Sequence, residues 1–182
     1  MASYAYYEAR RYDDAIIAAE RFIDWNAGSE DVPYAQYLIG MSYYERISDV
    51  GRDQRMTAEA QDAFTELTRR FPDTTYARDA ELKLDLIRDH LAGKEMEVGR
   101  FYLERDQYVA AINRFQRVLA EYQTTTHVPE ALHRMVEAYT ALGVTEEARR
   151  YASVLGYNYP GSEWYERAYA LVTDPDLPPL QS

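Results

Sequence analysis

The chain has 182 residues, 47% of them apolar, with only 8 Gly and 7 Pro, so it is long enough to bury a core and is expected to be mostly ordered. Its 20 basic and 31 acidic residues leave a formal net charge of −11, which argues against a grip on nucleic-acid phosphates or on an anionic bilayer. With no Cys there is no disulfide, thiolate nucleophile or Cys-ligated zinc, and no run of about 18 apolar residues exists to span a membrane.

In chain order, the pattern is helical throughout. SYAYYEARRYDDAIIAAERF is patterned from Ser3, with a clear stripe over about 12–25. A second stripe over 33–47 runs into ISDVGRDQR, an insertion between Tyr43 and Ala60. A third, over 56–71, stops at Pro72. FPDTTYARDA (Phe71–Ala80) restarts a helix over 76–91, and ELKLDLIRDHLAGKEMEVGRFYLER continues as one long helix weakened at Gly93 and Gly99. In YVAAINRFQRVLAEY, residues Tyr108, Ala111, Ile112, Phe115, Val118, Leu119 and Tyr122 form one helical face. Stripes follow over 130–142, 145–157 and 163–172. The last, WYERAYALV, lacks a partner and reads as a solenoid cap, and TDPDLPPLQS (173–182) as a disordered tail. Hairpin turns of the Asn-Gly or Asp-Gly kind and alternating apolar runs are missing, so the fold class is all-α.

These helices fall into pairs with a tetratricopeptide register. Gly40, Tyr43, Ala60, Phe64, Leu67 and Pro72 fill one set of places, and Gly99, Tyr102, Tyr108, Ala111, Phe115 and Val118 another. Tyr139, Gly143, Ala148, Ala152, Leu155 and Pro160 form a third, while Ser3, Tyr6, Tyr12, Ala15, Ala19 and Phe22 make an incomplete first repeat. The expected organisation is a tetratricopeptide-repeat solenoid of antiparallel helix pairs over 1–172, with Ala15, Ala60, Ala111 and Ala148 buried at equivalent positions. FPDTTYARDA, YQTTTHVPEA and YPGSEWYERA are the seams between repeats. Pro ends the old helix in the first and last, and Ser or Thr is placed to cap the next helix.

Candidate chemistry is sparse. His90, His127 and His133 lie in no zinc-binding pattern and are expected to be solvated or to cap helices. Acidic pairs such as Asp13–Asp14 and Glu146–Glu147 sit in first turns, where they favour the helix dipole. No nucleophile elbow or phosphate-binding loop is present, so no catalytic residue, cofactor or metal is expected. The 18 tyrosines divide between framework positions (Tyr6, Tyr12, Tyr43, Tyr102, Tyr108 and Tyr139) and positions that could line a peptide groove. Basic residues are scarce, which draws attention to Arg114, about 100° from the centre of its apolar stripe, with Arg117 nearly opposite the stripe and Arg105 in the preceding turn.

The run RDHLAGKEMEVGRFYLERDQYVAAINRFQRVLAEY (Arg88–Tyr122), together with the seams, resembles the BamD (ComL) family, the tetratricopeptide lipoproteins of the outer-membrane β-barrel assembly machinery. The likeness extends over nearly all of residues 3–172. It implies a non-enzymatic scaffold of the BAM complex on the periplasmic face of the outer membrane. By that resemblance the C-terminal repeats dock the POTRA domain of BamA, other BAM lipoproteins bind along the solenoid, and the N-terminal repeats receive unfolded outer-membrane proteins. Asn113–Arg114 matches the family's Asn-Arg on the POTRA-facing helix, and Glu104–Arg105 its Glu-Arg just before. The family begins with a signal peptide, a lipid-bearing Cys and further repeat sequence. This chain starts inside a first helix, so an upstream neighbour for Tyr4 and Tyr7, and a lipid anchor as the only membrane attachment, are expected to be missing. A periplasmic peptide-binding module and a Tol–Pal-associated protein remain as alternatives.

Overall fold

The computed structural model describes residues 2–47 and 54–173. Among these residues it is all-α, with nine helices and no strand. They are α1 (Ala2–Glu8), α2 (Tyr12–Trp25), α3 (Val32–Tyr44), α4 (Gln54–Arg70), α5 (Thr75–Leu103), α6 (Tyr108–Glu121), α7 (Val128–Ala141), α8 (Thr145–Asn158) and α9 (Glu163–Val172). The chain forms two compact units, Met1–His90 and Leu91–Ser182, whose boundary falls inside α5. Most of the expected insertion after Tyr43 (48–53) and all but the first residue of the expected tail (174–182) lie outside the described residues.

In the first unit α2 packs on α1 and α3, and α3 on α4. Helix α3 is nearly all apolar along VPYAQYLIGMSYY, and its small residues let α4 come close: a Cβ on Gly40 would lie 2.5 Å from the Phe64 ring. The second unit repeats the device, with a Cβ on Gly99 falling 2.3 Å from the Phe115 ring. One repeat later the volumes are exchanged: Val136 stands where the glycines stand and Ala152 where the phenylalanines do, and both are buried in one cluster. The four alanines of the register are all buried, at 1%, 0%, 0% and 1% exposure for Ala15, Ala60, Ala111 and Ala148.

Within a pair, the turn is closed by the backbone. Arg10, Asp106 and Gly143 take left-handed φ of 57°, 56° and 75° between α1 and α2, α5 and α6, and α7 and α8. In each, the following N–H donates to the carbonyl of a framework tyrosine: Arg11 to Tyr6 (2.9 Å), Gln107 to Tyr102 (3.0 Å) and Val144 to Tyr139 (2.9 Å). These bonds satisfy carbonyls that a helix end otherwise leaves bare. They also require each tyrosine to sit at a helix end. All six framework tyrosines, these three included, are half-buried, with Tyr43, Tyr102, Tyr108 and Tyr139 packed on core clusters and none fully inside.

The seams behave as capping chemistry requires. Thr74 and Ser162 each accept from the N–H three residues on (Ala77, 3.1 Å; Tyr165, 3.2 Å) while donating their hydroxyl back to the carbonyl of Phe71 (2.9 Å) or Tyr159 (3.0 Å). The third seam departs from this. Thr125 donates back to Tyr122 (2.8 Å), but α7 starts three residues later behind His127, with Pro129 in its first turn. Proline in that first turn removes one of the N–H groups that a helix start leaves bare. Helix α3 opens the same way with Val32-Pro33.

Candidate docking groove

The second unit presents a surface built from the end of α5 and the start of α6. After Leu103 the chain turns through Glu104, Arg105 and Asp106, all exposed. Arg105 lays its guanidinium over the half-exposed Phe101 ring at 3.6 Å and donates to the Phe101 carbonyl at 3.2 Å, an aromatic–cation pair turned to solvent. Tyr108 donates its hydroxyl to Asp106 at 2.7 Å, which fixes the turn against the first residue of α6.

Two depressions follow along α6. One, of about 280 Å³, is lined by Tyr102, Ala110, Asn113, Arg114 and Arg117. The other, of about 470 Å³, runs from the Asp106–Ala110 turn across Asn113 to Leu142. Ala110 and Asn113 line both, so they form one groove with a cationic end and an apolar end. The apolar end exposes Val109 (64%) and Leu142 (42%) to water. Exposed Asn113, able both to donate and to accept, stands at the junction.

The cationic end differs from the sequence expectation. Arg114 and Arg117 do not face opposite ways: both donate to Glu95 of α5, Arg114 Nη1 to Oε2 and Arg117 Nη1 to Oε1, each at 3.1 Å. Arg117 also donates through Nε to Glu121 at 3.2 Å. The Glu121 hydrogen bond, then the charge of Glu95, raise the Arg117 pKa further above its ordinary range. The Glu95 side chain is only 15% exposed and pairs with two arginine side chains exposed at 38% and 48%. Asn113 and Arg114, singled out in the sequence, both line this groove, whereas Glu95 was not singled out. The register held a clue, because the antiparallel pairing of Gly99 with Phe115 sets the preceding turn of α5 against the α6 turn that follows Phe115.

A second polar cluster was not anticipated. Arg100 donates to Glu130 (3.1 Å), which also accepts from Arg134 (3.3 Å), and Arg134 donates to Glu137 (2.7 Å). His133, expected in solvent or at a cap, is instead 3% exposed, lies 5.4 Å from the Trp164 ring and pairs with Glu137 at 3.5 Å. A histidine can enter the core here because its flat ring matches the indole and one nitrogen keeps an acidic partner. His127 stands at the position before α7 but makes no side-chain cap there; it is half-buried, with its ring over Gly93, where a Cβ would lie 3.1 Å from Nε2. In the first unit, tyrosines form a row: Tyr4 to Tyr34 at 6.4 Å, Tyr34 to Tyr76 at 5.2 Å and Tyr76 to Tyr37 at 5.6 Å, with the Tyr37 hydroxyl donating to Asp79 at 2.6 Å. Burial first, then Glu45, pushes the Tyr7 phenol up to about 12. No helix among the described residues is long and apolar enough to cross a membrane.

Comparison with known proteins places this architecture. The sequence pattern of one family, described as "YfiO: Outer membrane lipoprotein", matches residues 1–155. An outer membrane protein assembly factor BamD from Rickettsia prowazekii (strain Madrid E) is 50% identical over 172 residues, covering 94% of this chain and 68% of that protein. The protein of the same name from Caulobacter vibrioides is 49% identical over 179 residues, 98% of this chain and 59% of its own. That from Neisseria meningitidis serogroup A is 36% identical over 177 residues, 92% and 66% respectively. The chain thus spans about three fifths to two thirds of the length of these relatives.

Proposed function

Because the chain belongs to the YfiO family of outer membrane lipoproteins, we propose that it is a scaffold subunit of the outer-membrane β-barrel assembly machinery at the periplasmic face of the outer membrane. It works by holding other proteins, with no reaction of its own. The observation that carries this reading is the two-ended groove on α6. Its Val109–Leu142 end offers apolar area that a partner side chain can cover. Its Arg114–Arg117 end offers planar donors suited to a carboxylate. Asn113 between them can bond a partner main chain.

The partner assigned to this groove is a POTRA domain of BamA carrying an acidic and an apolar side chain at matching spacing. Arg105 and Glu104 flank the entry, and other lipoproteins of the machinery take the remaining surface. The test is titration of the BamA periplasmic region of the same organism against wild type and Arg114→Ala at fixed salt. Loss of the charge-assisted contact should weaken binding by about 2–5 kcal/mol, chiefly through faster dissociation. Equal affinities would overturn the assignment.

A second reading, capture of unfolded outer-membrane protein segments, is favoured by the tyrosine row of the first unit. Its rings offer stacking faces and its hydroxyls offer hydrogen bonds to an extended chain. Binding of an aromatic-rich peptide that survives Arg114→Ala but not Tyr34→Ala would support it.

A further inference from the structure

Four charges, Arg114, Arg117, Glu95 and Glu121, meet at the arginine end of the groove, and their arrangement goes further than the presence of an arginine. Arg114 and Arg117 are three apart on α6, where like charges repel and push two long, mobile side chains apart. Glu95 counters this. Each of its oxygens takes one guanidinium at 3.1 Å, and its side chain is less exposed than the two arginines it pairs with. Arg117 is held twice, through Nη1 to Glu95 and Nε to Glu121. Arg114, by contrast, is engaged by Glu95 through Nη1, so its remaining N–H groups are the ones available to a ligand in the groove.

We propose that Glu95 is a positioning residue of the docking groove. It holds Arg114 and Arg117 side by side, so that an acidic side chain of the partner protein binds the ordered pair and not either arginine alone. The inference rests on reading the groove as the docking site. Ordering two flexible side chains before binding removes an entropy cost that the partner would otherwise meet.

The sign of the effect separates this idea from simple charge attraction. If net charge alone mattered, removing a carboxylate next to the site would strengthen binding of an acidic partner. Positioning predicts the reverse.

The experiment uses the 182-residue chain, the BamA periplasmic region as probe, and isothermal titration of wild type, Glu95→Gln, Glu95→Ala, Arg114→Ala and the double variant Glu95→Ala/Arg114→Ala. Glu95→Ala should bind about tenfold more weakly than wild type. Glu95→Gln keeps the side-chain shape and one acceptor oxygen, and should fall between the two. In the Arg114→Ala background, Glu95→Ala should add almost nothing, a coupling that general damage to the fold would not produce. Circular dichroism of each variant confirms that the helices remain. If Arg114→Ala weakens binding while both Glu95 variants match or exceed wild type, the positioning role is overturned and the docking site stands. Independent, additive losses from Glu95 and Arg114 would also overturn it. If Arg114→Ala itself binds like wild type, the docking assignment falls and the role of Glu95 falls with it.

Discussion

Replacing Gly99 with alanine sets two effects against each other. In an isolated helix the change is favourable by about 1 kcal/mol, since glycine loses the most backbone freedom on folding. In this chain the new methyl would stand 2.3 Å from Phe115 Cε1 and 2.8 Å from two further ring carbons, where ordinary carbon contacts need about 3.5–4.0 Å. The ring is fully buried and cannot swing into solvent, so α5 and α6 must separate or Phe115 must leave its rotamer. Overpacking of this severity belongs at the top of the usual range, about 3 kcal/mol. Subtracting the helix gain leaves about 2 kcal/mol of destabilisation, or a fall in Tm of about 4–8 °C for a chain of this size. Scanning calorimetry of Gly99→Ala, Phe115→Leu and the double variant tests this directly. The double variant should recover part of the loss, because the shorter side chain gives the methyl room. A Gly99→Ala protein as stable as wild type, or a double variant whose loss is the plain sum of the singles, would refute the close-packing account.

Two further outcomes are expected. Tyr37→Phe removes the hydroxyl that donates to Asp79 at 2.6 Å and should lower the urea midpoint by an amount equivalent to about 1.5 kcal/mol. Burial, followed by that hydrogen bond, raises the Tyr37 pKa, so its contribution is present below the ordinary tyrosine value of 10.0 and lost as pH rises through the folded value; Tyr37→Phe should therefore flatten the alkaline limb of stability. Burial alone would raise the Glu137 carboxyl, but hydrogen bonds from His133 and Arg134 outweigh it and hold the pKa below 4.5. Its stabilisation is thus present above the ordinary carboxylate value and lost as pH falls through the lower folded one. Acid unfolding followed by circular dichroism should show Glu137→Gln destabilised at neutral pH but losing less than wild type on acidification.

The repeat register was legible because it is written in volumes and spacings: Gly40, Phe64, Gly99 and Phe115 announce a close approach, and a 3.6-residue period announces which face is buried. The turns were harder. Only one of the three left-handed positions is glycine; Arg10 and Asp106 carry no such mark, because the surrounding backbone bonds impose the conformation. His133 was misplaced because a lone histidine on a helix looks the same whether or not an indole will cover it. The cationic end of the groove was found through Arg114, yet its geometry depends on Glu95, 19 residues away in sequence. A helical wheel drawn on α6 alone put Arg117 on a different face, since it takes no account of how far a long side chain bends toward a charge on a neighbouring helix. The division inside α5 left only a faint mark, Gly93 just past the boundary, while the buried positions step by three or four from Ala77 to Ile87 and by five on to Ala92.

The seams at Thr74 and Ser162 carry a kinetic consequence. Each hydroxyl bonds backward to a carbonyl three residues before it and forward to an N–H three residues after it, so one side chain ends one helix and starts the next within seven residues. Nothing distant in the chain is needed to make that corner. Loop closure over so few residues costs little and is fast, so each corner can form from local contacts alone. Removing the hydroxyls by Thr74→Ala and Ser162→Ala should therefore weaken the native state and, where the corner forms before the rate-limiting step, slow refolding as well, which stopped-flow refolding of each variant measures.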